Sequence, residues 1–173
     1  MNAMQNIRIE KLTLNIGSGK EQNKLDRGMK LIKHLTGIAP VKTITKKRIP
    51  NWGLRPGLPI GCKLTIRNGQ KKDLIQRFLK AKGNKLSASN FDENGSVSFG
   101  IHEYIDVPGV AYNPEVGIMG FEVCITLERP GFRIKRRRLR RVAVPAKHRI
   151  TKEAAMEFMK KEFGVSTEEG EEE

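Results

Sequence analysis

The chain has 173 residues, with 33 Lys and Arg against 19 Asp and Glu, a formal net charge of +14 and a pI near 10.0. Five of those acids are the glutamates at 168, 169, 171, 172 and 173, so residues 1–167 set 33 basic residues against 14 acids, a net +19. This length suits one domain with one core, and this charge calls for a polyanionic partner. No apolar run reaches transmembrane length and no N-terminal stretch has the charged-then-apolar layout of a signal peptide, so a soluble intracellular protein without a membrane partner is expected.

The first regular element is Lys11-Leu12-Thr13-Leu14-Asn15-Ile16, which alternates as a strand: Leu12, Leu14 and Ile16 face a core, while Lys11, Thr13 and Asn15 face outward. Gly17-Ser18-Gly19-Lys20 turns the chain into a helix with Leu25, Met29, Leu31, Ile32 and Leu35 at helical spacing and Gly37 as its stop. Residues 41–47 alternate as a short strand. From Arg48 to Pro59 the prolines and glycines forbid regular structure, and a long irregular loop is predicted. It leads into Ile60-Gly61-Cys62-Lys63-Leu64-Thr65-Ile66-Arg67, where Ile60, Cys62, Leu64 and Ile66 face the core and Lys63, Thr65 and Arg67 face outward.

After Asn68-Gly69, Leu74, Ile75, Phe78 and Leu79 share one face of a second helix that ends at Gly83. Asn94-Gly95 signals a tight turn ahead of a strand through Ile101, residues 106–119 read as loop, and Phe121, Val123, Ile125 and Leu127 alternate as a last strand. Thr151 is placed to cap a closing helix that buries Ala155, Met156, Met159 and Phe163 and stops at Gly164. The expected fold is α+β, a mostly antiparallel sheet with helices packed on one face and the other open for RNA. Residues 1–167 form a single domain with a basic loop (46–59) and a basic segment (133–149), and 168–173 form an acidic disordered tail.

The outward residues Lys11, Thr13, Asn15, Lys63, Thr65 and Arg67 offer cations for phosphates and short donors and acceptors for sugars and bases. An RNA-binding platform and an ordinary half-solvated sheet both fit either strand taken alone; the whole-chain charge favours the platform. Arg133, Lys135, Arg136, Arg137, Arg138, Arg140 and Arg141 repel one another unless a polyanion screens them, and the excess of Arg over Lys suits forked phosphate contacts and stacking on bases. A targeting-type basic cluster is the rival there. For Lys46, Lys47, Arg48, Trp52 and Arg55 two readings stand, a basic finger reaching a second RNA and a linker with Trp52 tucked onto the core.

Catalysis finds little support. Gly17-Ser18-Gly19-Lys20 lacks phosphate-loop spacing, since Glu21 follows the lysine, and Gln22 breaks GxGxxG. Glu10, Glu103, Asp106, Glu122 and Glu128 are read as ion-pair partners rather than acid/base pairs. His34, His102 and His148 share no metal spacing, and Cys62 and Cys124 are read as reduced packing thiols, so neither metal nor cofactor is expected.

Leu14-Asn15-Ile16-Gly17-Ser18-Gly19, the stretch from Pro40-Val41 through Lys47-Arg48, and above all Leu58-Pro59-Ile60-Gly61-Cys62-Lys63-Leu64-Thr65-Ile66-Arg67 resemble the family of large-subunit ribosomal protein five, the 5S rRNA binder. Phe99-Gly100-Ile101, Gly117-Ile118-Met119-Gly120 and Arg129-Pro130-Gly131 with the basic run after it look like its archaeal and eukaryotic branch. The resemblance implies a non-enzymatic protein of the cytoplasmic ribosome that helps attach 5S rRNA to the large subunit in the central protuberance. It implies contact of positions matching Asn15 and Thr65 with 5S rRNA, approach of the loop at Lys46 to Arg55 to P-site tRNA, and contact of the basic run with large-subunit rRNA. Other loops would bridge to a protein of the small-subunit head, among neighbouring ribosomal proteins. The Gln common in the family after the helix-ending glycine is Ile38 here. A generic RNA- or DNA-binding module and a phosphate-loop nucleotide enzyme are the rival readings.

Overall fold

A computed structural model describes residues 2–168 of the chain. Its centre is β1 (Arg8–Gly17), flanked by β3 (Pro59–Ile66) and β6 (Phe121–Glu128), with β2 (Val41–Ile44) and β5 (Ser96–Ile101) at the edges. Every neighbouring pair in the order β2-β3-β1-β6-β5 is antiparallel. The expected α+β class therefore holds.

Alternation decides which face is dry. Leu12, Leu14 and Ile16 of β1, Cys62, Leu64 and Ile66 of β3, and Val123, Ile125 and Leu127 of β6 are buried on one side. Two helices close that side, α1 (Gln22–Thr36) through Leu25, Leu31, Ile32 and Leu35, and α2 (Lys71–Ala81) through Leu74, Ile75, Phe78 and Leu79. Each such side chain contributes about 1.5–3 kcal/mol by leaving water. Gly28 brings α1 close to the sheet: a Cβ there would lie 3.2 Å from Ile16 Cγ2 and 3.3 Å from Cys62 Sγ. Phe78 of α2 meets Phe121 of β6 edge-to-face at 5.3 Å. The closing helix α3 (Lys152–Phe163) begins at Thr151, whose hydroxyl accepts from the Ala154 amide, and ends at left-handed Gly164 (φ 66°).

Where structure and alternation differ, the cause is local. β1 starts three residues before the alternating stretch because its register shifts between Ile9 and Lys11. That bulge keeps Ile9 in the core while breaking the period of two that would have revealed it. β2 stops at Ile44, next to a second register shift, rather than continuing to residue 47. Ile60 is half-buried rather than fully in the core, its carbonyl accepting the amides of Ser18 and Gly19. A short parallel pair, β4 (Lys85–Ser87) with β7 (Ser166–Glu168), has no signal in the sequence, since three residues carry no readable period. The expected disorder of the acidic tail falls on residues 169–173, outside the described residues, while Glu168 ends β7.

The loop after β2 is also more ordered than its prolines and glycines suggest. Ile49 and Leu54 form an antiparallel bridge around a 3-10 turn at Pro50–Trp52, and the Thr45 amide donates to Leu58 O at 2.9 Å. Leu54 is buried, but Trp52 is 68% exposed. The reading that tucks Trp52 onto the core is thereby overturned.

Candidate nucleic-acid interface

The face of the sheet opposite α1 and α2 is polar apart from exposed Val41, which lies beside Lys63 on edge strand β2, and the registers assemble it row by row. Lys63, Asn15, Glu122 and Gly100 lie in one row, Thr65, Thr13, Cys124 and Ser98 in the next, and Lys11, Thr126 and Ser96 in a third. Arg67 is exposed one residue beyond the end of β3. The sheet thus brings together Lys11, Thr13, Asn15, Lys63 and Thr65, all of them exposed or half-exposed, with Arg67 at the border.

Sequence reasoning missed half of this surface. Glu122, Cys124 and Thr126 join it from β6, and Ser96 and Ser98 from β5; the polar positions of the 121–127 alternation carried the signal. Asn15 Nδ2 donates to Glu122 Oε2 at 2.9 Å, so the carboxylate fixes the amide and leaves the carboxamide oxygen to accept from a ligand. With phosphate-seeking Lys63 in the same row, donor, acceptor and cation stand side by side.

The turn Gly17 to Lys20 is not a phosphate cradle. Ser18 and Gly19 donate their amides to Ile60 O at 2.9 and 3.1 Å, and α1 is capped by Glu21, a like charge to any phosphate. Two of the amides that a nucleotide-enzyme reading needs are thereby taken. Lys20 instead neighbours the finger, with its Cδ 3.7 Å from where a Gly53 Cβ would stand.

The basic segment follows β6 and opens with a 3-10 turn at Phe132–Lys135. Phe132 is buried, and Lys135 Nζ sits 4.8 Å from its ring centroid. Arg136 differs from its neighbours: its guanidinium bridges Glu10 and Glu128, the latter at 2.7 Å, and Arg8 reaches Glu128 at 2.8 Å. The side chains of Glu10 and Glu128 are only 7% and 8% exposed, so these charges need partners. Arg136 thus clamps the fold although it too is exposed, as are Arg133, Arg137, Arg138, Arg140 and Arg141. Arg137 Nε also donates to Arg140 O at 2.7 Å, tightening the turn.

These basic regions lie apart. The finger leaves the sheet where Gly17 pairs with Gly61, and the basic segment leaves it where Arg8 pairs with Glu128, at opposite ends of ten-residue β1. At the strand rise this separation is on the order of 30 Å. Of the finger residues, Lys46, Lys47, Arg48, Trp52 and Arg55 are all exposed.

The thiols occupy opposite faces, Cys62 in the core and Cys124 on the polar side, which rules out a bond between them. Burial pushes the Cys62 thiol up to about 11, and burial with the Glu122 charge also raises that of Cys124. His148 is occupied by Pro130 O at 2.8 Å. Among the described residues no group of three or more His, Cys, Asp or Glu is placed to hold a metal, and no helix is long and apolar enough to cross a membrane.

Comparison with known proteins converges on one family. Residues 2–55 match the family model described as ribosomal protein L5, and residues 59–161 match the model for the C-terminus of the same ribosomal family. The protein named large ribosomal subunit protein uL5 of Sulfurisphaera tokodaii is 46% identical over 171 residues, covering 98% of this chain and 97% of that one. The proteins of the same name from Nanoarchaeum equitans and Methanosphaera stadtmanae are 49% and 46% identical, covering 94% and 97% of this chain and 96% and 100% of their own lengths.

Proposed function

The chain belongs to the ribosomal protein L5 family, structural proteins of the large ribosomal subunit in the cytoplasm rather than enzymes, and from that premise we propose that its open sheet face holds 5S rRNA and helps attach it to the large subunit in the central protuberance. The observation that carries this reading is the row Lys63, Asn15, Glu122, in which a cation stands beside an amide already oriented by a carboxylate. Such a face suits RNA, where phosphates supply affinity and 2′-hydroxyls and splayed bases supply specificity. The finger is the candidate contact for P-site tRNA, supported by an exposed Trp52 among Lys46, Lys47, Arg48 and Arg55, an aromatic on which a base or ribose can stack. The exposed arginines after β6 are assigned to large-subunit rRNA, and loops elsewhere to a bridge with the small-subunit head.

The test is a 5S rRNA titration across a salt series, with tRNA and duplex DNA as competitors. Changing Asn15 and Thr65 together to Ala is expected to weaken 5S binding about thirtyfold, from ~1 kcal/mol for each of the two hydrogen bonds lost, without altering the salt slope. Lys63→Ala or Arg67→Ala is expected to flatten the slope by about one unit. Equal binding to every polyanion, unmoved by the Asn15 and Thr65 changes, would reduce the face to generic charge.

A further inference from the structure

Between the 3-10 turn at Phe132–Lys135 and the chain that returns toward α3 lies a hollow of about 550 Å³. Its lining is divided by chemistry: Phe132, Val144 and Ile150 are buried apolar residues, whereas Lys135, Arg141 and Arg149 supply cations, and among the described residues no Asp or Glu lines it. The walls are held by the fold. Val142 N donates to Ile134 O at 3.3 Å, Arg149 Nε to Val144 O at 3.3 Å, and Arg129 Nη1 to Arg149 O at 3.1 Å. Ile150 is backed by the turn before β5, where a Cβ on Gly95 would lie 2.6 Å from Ile150 Cγ2. Val142, on the lip, is 57% exposed, and Leu139, between two arginines, is 77% exposed. Exposed apolar side chains interleaved with charge of a single sign mark a surface that a partner covers.

We infer that this hollow is a binding site for a single nucleotide extruded from rRNA, its base on the apolar floor and its flanking phosphates on Arg141, Arg149 and Lys135. This rests on the reading that the segment meets large-subunit rRNA and adds the mode of recognition. Three cations around an apolar floor match a flat base carried on a charged backbone. The cavity size suits a small organic group, and unpaired RNA is read through splayed bases set against aromatic and arginine side chains. The cation–π contact holds the Lys135 ammonium over the Phe132 ring, so the base is received mainly by Val144 and Ile150 with that cation beside it.

The probe is a single-stranded RNA hexamer, compared with the same hexamer carrying abasic ribose, titrated onto the full chain. The base-bearing hexamer is expected to bind about tenfold tighter than its abasic twin, whose charge is the same. Ala143→Trp, which fills the hollow from an exposed position and removes no charge, is expected to abolish that difference. Arg141→Ala is expected to weaken both hexamers and flatten the salt slope by about one unit. Binding of 5S rRNA serves as the control for folding and for the sheet face, and is expected to be unchanged by Ala143→Trp. Equal affinity for the two hexamers, or a base preference that survives Ala143→Trp with 5S binding intact, would overturn the site while leaving the sheet-face reading untouched.

Discussion

The open face of the sheet carries its polar side chains on paired strands, whereas the segment after β6 carries a denser charge on backbone with little regular structure. On the sheet, orientation comes from the backbone ladder, so Lys11, Thr13, Asn15, Lys63 and Thr65 need no ion pairs to point one way. The basic segment has no ladder. Its direction is set by Arg136, which bridges Glu10 and Glu128, and by Phe132, which buries its ring beside His148. A strand surface can therefore lose a polar side chain at a cost to binding alone, while the basic segment mixes residues that bind with residues that hold.

The largest effect is expected where the ladder itself is tightest. A Cβ on Gly61 would lie 2.5 Å from Ile16 O and 3.0 Å from Thr43 Oγ1, and the first obstacle is backbone that cannot rotate away. Gly61→Ala should cost about 3 kcal/mol, the upper end of overpacking, in chemical denaturation. Gly17→Ala, directly opposite in register with nothing within 4 Å, should cost far less. Equal costs would mean that the sheet yields more readily than its geometry implies.

The next effect separates holding from binding within the basic segment. Arg136→Ala leaves Glu10 buried without its cation and should lower stability by about 2 kcal/mol, below the ~3–5 kcal/mol of a fully buried pair because the Arg136 side chain is 44% exposed. Arg138→Ala, at an exposed position, should leave stability within about 0.5 kcal/mol and flatten the salt slope of rRNA binding instead. If both variants proved equally stable, Arg136 would join the binding residues and lose its role as clamp.

The smallest effect compares the two faces of the sheet through their thiols. A thiol whose pKa is raised by folding keeps its proton in the native state, so its contribution to stability is complete below about pH 9 and is lost as pH rises through about 11 for Cys62. At pH 8 a thiol reagent should label Cys124 slowly and Cys62 only on unfolding, and bound 5S rRNA should protect Cys124 further. Labelling of Cys62 ahead of Cys124 would place the wrong face in solvent.

Much of this was legible in the chain itself. A period of two in residues 11–16, 60–67 and 121–127, a period near 3.6 in the helices, and Gly37 and Gly164 as stops each arise from neighbours a few residues apart, so they survive without a tertiary structure. The charge, the family motif and the absence of phosphate-loop spacing were equally local. What only the folded chain decided is which distant residues become neighbours. The bulge at Glu10 hid the start of β1, and three-residue β4 and β7 have no period to read. Pairing brought Glu122 to Asn15 across 107 positions and Glu10 to Arg136 across 126, giving one expected rRNA ligand a role as clamp as well. It also turned Trp52 outward and set the finger and the basic segment at opposite ends of β1. Side-chain direction follows from local backbone geometry and so is written in the chain, but partners across a sheet follow from register, and register is set by the whole core at once.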